Sequence, residues 1–204
     1  RIYDVFREVN RVVIVQQYID GKDLLQRLKS EPWPAERVAR LLVDVAEALA
    51  YAHQARLIHR DLKPSNILLD KDDRPHIADF GLAIHERVQR RRRGERAGSP
   101  VYMAPEQVRG ETHRLDGRTD IWALGVILYR MLTGKSPFGG ETPEELYDEI
   151  EHRDPKPPSM IRQGIPAELE RICLKCLSKR VTDRYPSATA LAEELRHWLS
   201  GGEQ

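Results

Sequence analysis

The sequence predicts an α+β fold in which a short β-rich segment precedes a larger, mostly helical region. Two β-rich runs, Ile2 to Phe6 and Val12 to Ile19, are separated by a polar stretch, which is the pattern of a β-hairpin. From Ala35 onward, apolar residues recur at helical spacing and indicate a long amphipathic helix. Residues 121–132 are apolar on nearly every side, which is typical of a helix buried all round.

A second, smaller hairpin is predicted after the long helix. Short strands at Ile67 to Leu69 and His76 to Ala78 flank a polar turn. This arrangement places Asn66 and Asp79 at the two open ends of the hairpin. Both side chains can then reach one metal ion.

The C-terminal part carries three further helix signals. Thr142 and Glu145 have the spacing of a capping box, and Pro166 is suited to the start of another helix. A last helix is predicted to end at Gly201.

The composition excludes several classes of protein. Hydrophobic residues make up 40% of the 204 residues, enough for one substantial core, and a formal net charge of +1 gives no overall attraction to nucleic acid or to an anionic membrane. The longest strongly apolar run, Ile121 to Leu128, is shorter than the roughly 20 residues of a membrane helix. We expect a cytoplasmic segment, and the sequence leaves open whether a longer parent protein carries a membrane anchor elsewhere.

Cys173 and Cys176 fit two reduced thiols in a helix core better than a zinc or redox pair, because no second ligand pair accompanies them.

Three short motifs carry the chemistry. Residues 59–66 read H-R-D-L-K-P-S-N, residues 79–81 read D-F-G, and residues 104–106 read A-P-E. The first two are the phosphoryl-transfer motifs of protein kinases, and all three follow in the order and spacing of that family. The sequence therefore resembles the protein serine/threonine kinases, in particular the eukaryotic-like kinases of bacteria, over essentially its whole length.

The resemblance implies a protein kinase-like fold with a defined division of the chain. Residues 1–20 would be the last strands of the N-terminal lobe and the hinge, residues 21–200 the helical C-terminal lobe, and residues 201–204 a tail. The glycine-rich loop, the strand lysine and the helix glutamate of the family would lie before Arg1. We therefore expect residues 1–204 alone to be inactive and poorly soluble.

The resemblance also implies a role for each residue of the catalytic motifs, with ATP and Mg²⁺ as cofactors. Asp61 would be the catalytic base, and Lys63 would place positive charge beside the transferred phosphate, as is typical of Ser/Thr kinases. Ser99 replaces the usual threonine and keeps a hydroxyl that can bond Asp61 and Lys63. Asn66 and Asp79 offer hard oxygen ligands suited to Mg²⁺.

Other residues would bind the nucleotide. By the same resemblance, Gln16 would line the back of the pocket, and the backbone of Gln17 and Ile19 would hydrogen-bond adenine. Asp23 would accept from the ribose, and Leu68 would pack under the base.

A third group would have scaffold roles. Glu106 should pair with Arg184, and Asp120 should bond the backbone of the catalytic loop, residues 59–66. His59 and Phe80 would stack with Ile2 in the apolar column that links the two lobes.

The segment between Gly81 and Ser99 departs from the family pattern because it contains no Ser, Thr or Tyr that could be phosphorylated. It carries instead a cluster of arginines, opposed only by Glu86 and Glu95. The cluster comprises Arg87, Arg90, Arg91, Arg92, Arg93 and Arg96. A solvated loop is the favoured interpretation, a docking surface for acidic protein segments is the second, and nucleic acid is a poor third because no aromatic residues are interleaved. A carboxylate placed against Arg60 or the arginines would then hold the active conformation.

Two functional hypotheses follow. The first is the catalytic domain of an ATP-dependent protein kinase acting on Ser or Thr of protein substrates, with acidic substrates as an option. The second is a catalytically silent kinase-like binding module. The first is favoured because a silent module has no chemical need for Asp61, Lys63, Asn66 and Asp79 together.

Overall fold

A computed structural model describes residues 2–8, 11–29, 33–80, 84–85 and 98–201. Within residues 2–8, 11–16 and 84–85, and at Arg114, it describes the backbone alone. The strands are β1 (Ile2–Glu8), β2 (Arg11–Gln16), β3 (Lys22–Asp23), β4 (Leu57–Ile58), β5 (Ile67–Leu69), β6 (Pro75–Ile77) and β7 (Ile84–His85). The α-helices are α1 (Leu24–Arg27), α2 (Ala35–Gln54), α3 (Pro105–Val108), α4 (Gly117–Thr133), α5 (Pro143–His152), α6 (Pro158–Ile161), α7 (Ala167–Cys176) and α8 (Ala188–Gly201). The mostly helical α+β fold is confirmed.

The N-terminal hairpin is present. β1 and β2 pair antiparallel from Ile2 opposite Gln16 to Glu8 opposite Arg11. The strands extend further into the polar stretch than the sequence pattern indicated, because backbone ladder bonds do not require apolar side chains.

The second hairpin lies in a three-stranded antiparallel sheet of order β3-β5-β6. Ile67 faces Ile77 across β5 and β6, and Asp23 faces Leu68 across β3 and β5. The Ala78 N–H donates to the Asn66 carbonyl at 2.8 Å, just beyond the strands. The ends of the hairpin that carry Asn66 and Asp79 are therefore adjacent, as predicted.

The core is helical. α2 packs against α8 and α4, and α4 also packs against α7. Buried residues cover nearly the whole of α4, which confirms the helix predicted at residues 121–132. Asp116 caps its start by accepting from the Arg118 N–H, and Gly134 ends it with a φ of 74°, a left-handed conformation that glycine adopts without strain. No helix in the described part of the chain is both long enough and apolar enough to cross a membrane.

The two cysteines lie in α7 as free thiols. Both are completely buried or nearly so, as predicted for a helix core. Burial raises the pKa of Cys176 to about 12. Both therefore behave as core residues.

The capping box predicted for α5 is half correct. The Thr142 hydroxyl accepts from the Glu145 N–H at 3.2 Å, as expected. The Glu145 carboxylate accepts at 2.7 Å from the N–H of Glu141 rather than that of Thr142. The carboxylate reaches one residue further back, so the two bonds are not reciprocal.

Candidate active site

Three of the predicted catalytic side chains form one cluster, and two of them belong to the loop between β4 and β5. The Lys63 ammonium donates to Asp61 Oδ2 at 2.8 Å and to the Ser99 hydroxyl at 2.8 Å. The Ser99 backbone N–H donates to Asp61 Oδ1 at 2.6 Å. Both carboxylate oxygens of Asp61 are therefore engaged, and the bonds join the loop to a segment 38 residues further along the chain.

These contacts determine the ionisation of Asp61. Partial burial alone would raise its pKa, but the hydrogen bonds from Lys63 and Ser99 and the charge of Lys63 outweigh burial and hold the pKa below the usual value. Asp61 is therefore ionised at neutral pH, which is the form that can accept a proton.

Asp120, at the start of α4, holds the loop just before Asp61. Its carboxylate accepts from the backbone N–H groups of His59 and Arg60, each at 2.9 Å, as predicted. His53 Nε2 lies 2.8 Å from the same carboxylate and forms a third hydrogen bond with it. Arg60 adopts a left-handed backbone with φ of 69°, a conformation that costs a non-glycine residue roughly 1–2 kcal/mol. The two backbone hydrogen bonds to Asp120 stabilise the loop in this conformation and offset the cost of the strain.

Gln107 was missed by sequence reasoning. Its side-chain amide donates to the Arg60 carbonyl at 2.8 Å and accepts from the Ala104 N–H at 3.0 Å. Its place directly after the A-P-E motif was visible, but no spacing rule pairs it with a residue 47 positions earlier. His53 was missed for the same reason.

The two proposed metal ligands lie at neighbouring points of the backbone. The side-chain amide nitrogen of Asn66 donates to the Asp61 carbonyl at 2.9 Å, so the amide oxygen of Asn66 is directed elsewhere. Asp79 is exposed and has a left-handed backbone with φ of 58°. One amide oxygen and one carboxylate form a hard donor set, which fits Mg²⁺.

His59 has a structural role. Its Nδ1 faces the Asp61 N–H at 3.4 Å and its Nε2 faces the Ala78 carbonyl at 3.1 Å, which together correspond to the neutral Nε2–H tautomer. Its ring lies 4.7 Å from that of Phe80, centroid to centroid. The two rings are in contact, but they are tilted by 54° rather than stacked, and the side chain of Ile2 lies outside the described residues. Both ring nitrogens of His59 are used within the fold.

The predicted nucleotide-binding residues lie between β2 and β5. Gln17 is exposed and Ile19 is half-buried in the connection from β2 to β3, while the side chain of Gln16 lies outside the described residues. Asp23 and Leu68 are directly opposite each other in the sheet, so the structure brings these two together. The Asp23 carboxylate caps α1 by accepting from the backbone and side-chain amides of Gln26 at 2.7 and 3.0 Å. A carboxylate has further acceptor sites, so this cap is compatible with a ribose contact.

Glu106 and Arg184 form the predicted buried pair. Two parallel bonds of 2.8 and 2.9 Å join the guanidinium to both carboxylate oxygens, across 78 residues of sequence. Thr119 donates to Glu106 at 3.0 Å, and Arg184 Nε donates to the Ser178 carbonyl at 2.9 Å. The pair anchors α3 to the core.

The predictions for the segment between Gly81 and Ser99 fall mostly on residues that lie outside the described part of the chain. These include Gly81, Glu86, Glu95 and the arginine cluster.

Comparison with known proteins agrees with this geometry. The family model described as protein kinase domain matches residues 1–196. The chain belongs to the protein kinase family.

Curated relatives extend this result. The chain is 34% identical over 191 residues to the serine/threonine-protein kinase PknB of Mycobacterium leprae, covering 92% of this chain and 30% of that protein. It is 35% identical over 186 residues to PknB of Mycolicibacterium smegmatis, covering 89% and 29%. It is 37% identical over 201 residues to the tyrosine-protein kinase MasK of Myxococcus xanthus, covering 92% and 31%. The chain thus spans about a third of the length of these relatives.

Proposed function

We propose that the protein transfers the γ-phosphate of ATP to Ser or Thr hydroxyls of protein substrates. The observation that carries the proposal is the Asp61 carboxylate, held ionised by Lys63 and Ser99 and partly open to solvent. Asp61 accepts the proton of the acceptor hydroxyl, and Lys63 provides positive charge beside the reacting groups.

Asn66 and Asp79 would hold Mg²⁺. When bound, Mg²⁺ neutralises charge on the phosphate oxygens of ATP. The bond from Asn66 to the Asp61 carbonyl ties this part of the site to the base, so one loop positions both functions. The backbone of Gln17 and Ile19, with Asp23 and Leu68, would bind the nucleoside.

The test is Asp61→Asn in the full-length protein. We expect kcat to fall by about 10²–10⁴-fold, the range typical of a lost general base, with little change in ATP affinity. The matched control is Asp44→Asn, which makes the same change at an exposed position of α2 and should leave kcat unchanged. Full turnover in the Asp61→Asn protein would overturn the assignment of Asp61 as the base, whereas a wild-type protein without turnover would favour a silent binding module.

The acceptor residue needs its own experiment because one relative is named a tyrosine kinase. Lys63 bonded to a hydroxyl at position 99 supports Ser or Thr acceptors. Phosphoamino-acid analysis of phosphorylated substrate should give phosphoserine or phosphothreonine. Phosphotyrosine alone would contradict this assignment.

Acidic protein segments as substrates are the alternative to a solvated loop for the arginine cluster, and one experiment separates the two. Four consecutive arginines, Arg90 to Arg93, support this alternative through their charge. Changing all four to Gln should raise KM for acidic peptides more than for neutral ones, and added salt should narrow the gap. If KM changes equally for the two peptides, the arginines do not bind acidic substrates and the segment is a solvated loop.

A further inference from the structure

Gln107 is a buried amide that connects the A-P-E segment to the catalytic loop. Only 4% of the residue is exposed. Its Nε2 donates to the Arg60 carbonyl at 2.8 Å, and its Oε1 accepts from the Ala104 N–H at 3.0 Å. The orientation of the amide follows from these partners, since a carbonyl only accepts and a backbone N–H only donates.

The position of the accepting carbonyl gives this bond its importance. The Arg60 carbonyl and the Asp61 N–H belong to one planar peptide group. Gln107 therefore fixes the peptide that leads into Asp61, while Asp120 fixes the peptide before Arg60 through its N–H at 2.9 Å. The strained left-handed backbone of Arg60 lies between these two fixed peptides.

Gly98 passes close to the same bond. A Cβ at this position would lie 3.0 Å from the Arg60 carbonyl oxygen, 3.5 Å from Gln107 Nε2 and 3.7 Å from Asp61 Oδ1. Its φ of 125° also favours glycine. The chain can therefore approach the loop closely here, and the next residue, Ser99, reaches the Asp61 carboxylate.

We propose that Gln107 is a positioning residue for the catalytic base. By holding the Arg60 carbonyl, it fixes the direction of Asp61 and couples it to the A-P-E segment. This inference rests on the proposed kinase function. It predicts that the bond affects the chemical step rather than nucleotide binding.

The experiment compares Gln107→Met and Gln107→Glu in the full-length protein. Met keeps the length but neither bond, whereas Glu can still accept from Ala104 but places a carboxylate against the Arg60 carbonyl. We expect kcat to fall by roughly tenfold or more in both variants, with KM for ATP unchanged within about twofold. Gln163→Met and Gln163→Glu make the same changes at an exposed position and should match the wild type. Wild-type kcat in Gln107→Met would overturn the proposal, as would an equal loss of kcat and ATP affinity.

Amide hydrogen exchange tests the role of Gln107 without a measurement of enzyme activity. Amides of residues 57–66 should exchange faster in Gln107→Met than in Gln163→Met, while those of α8 should be unchanged. Equal exchange in residues 57–66 would also overturn the role of Gln107. An inactive wild-type protein with faster exchange in Gln107→Met would instead overturn the proposed function alone.

A second variant covers the case in which the Gln107 variants do not fold. Gly98→Ala displaces the Arg60 carbonyl from the other side, and it should lower kcat and speed exchange in residues 57–66 in the same way. Wild-type kcat and exchange in Gly98→Ala would count against the proposal.

Discussion

Asp61 and Glu106 are both carboxylates paired with a cation, yet the two pairs differ in their exposure to solvent. The Glu106 and Arg184 side chains are 1% and 0% exposed, while those of Asp61 and Lys63 are 12% and 26% exposed. Arg184 also donates to backbone carbonyls of Ser178, Arg118 and Lys179, so its donors are directed into the fold.

The difference separates a scaffold pair from the pair that we propose to take part in the reaction. The Glu106–Arg184 pair is closed to solvent and holds two distant segments together. The Asp61–Lys63 pair is oriented by the fold but stays partly exposed to solvent, which the proposed access of an acceptor hydroxyl requires. Removing one partner should therefore cost stability in the first pair and turnover in the second.

The largest expected effect is on stability. Arg184→Met leaves Glu106 buried without its cation, which should lower the free energy of unfolding by about 3–5 kcal/mol. The control is Arg153→Met, which removes a surface pair with Glu149 in which Arg153 is 74% exposed and which should cost about 0–1 kcal/mol. Denaturant unfolding of the full-length protein, followed by a probe within this domain, measures both losses. Losses of similar size would mean that burial does not set the contribution of an ion pair.

The next effect is on turnover. Ser99→Ala removes the hydroxyl that accepts from Lys63, a bond to a charged group worth about 1.5–3 kcal/mol, so kcat should fall roughly 10- to 100-fold. Ser99→Thr keeps the hydroxyl and should retain most of kcat. Steady-state kinetics tests both, and a fully active Ser99→Ala protein would show that the bond does not contribute to the chemical step.

A smaller effect should appear in the dependence of stability on pH. The pKa of Asp61 is held below its reference value of 3.8, so its ionised form stabilises the fold above that pH, and this stability is lost as pH falls through the lower folded pKa. The difference in unfolding free energy between the wild type and Asp61→Asn should be constant from about pH 7 to pH 5 and should change below about pH 4. A change already between pH 7 and pH 5 would mean that the pKa of Asp61 is raised.

The last prediction concerns a treatment that should leave the activity unchanged. Phosphatase treatment of the full-length protein should leave its activity unchanged, because no hydroxyl residue lies between Gly81 and Ser99. Mass spectrometry should confirm that phosphate has been removed elsewhere. Inactivation would place control at Ser99 or at a phosphosite outside the loop.

The sequence predicted the features that depend on neighbouring residues. The apolar repeat of α2 and the all-round apolar character of α4 each produced the expected helix, because helix formation and burial follow from local periodicity. The three motifs were sufficient to identify the family. They also named Asp61, Lys63 and Ser99, which the structure brings together, while the chemical role of each stays a prediction.

The tertiary structure alone decided part of how the site is held in place. The Glu106–Arg184 and Asp120 contacts were expected from the family resemblance, but the bonds from Gln107 to Arg60 and from His53 to Asp120 were not. These bonds join residues 47 and 67 positions apart, and no local pattern encodes such a distance. The sequence by itself therefore determined which groups are available for the chemistry. The fold determined which buried side chains hold the strained loop, because that depends on how helices far apart in the chain pack against each other.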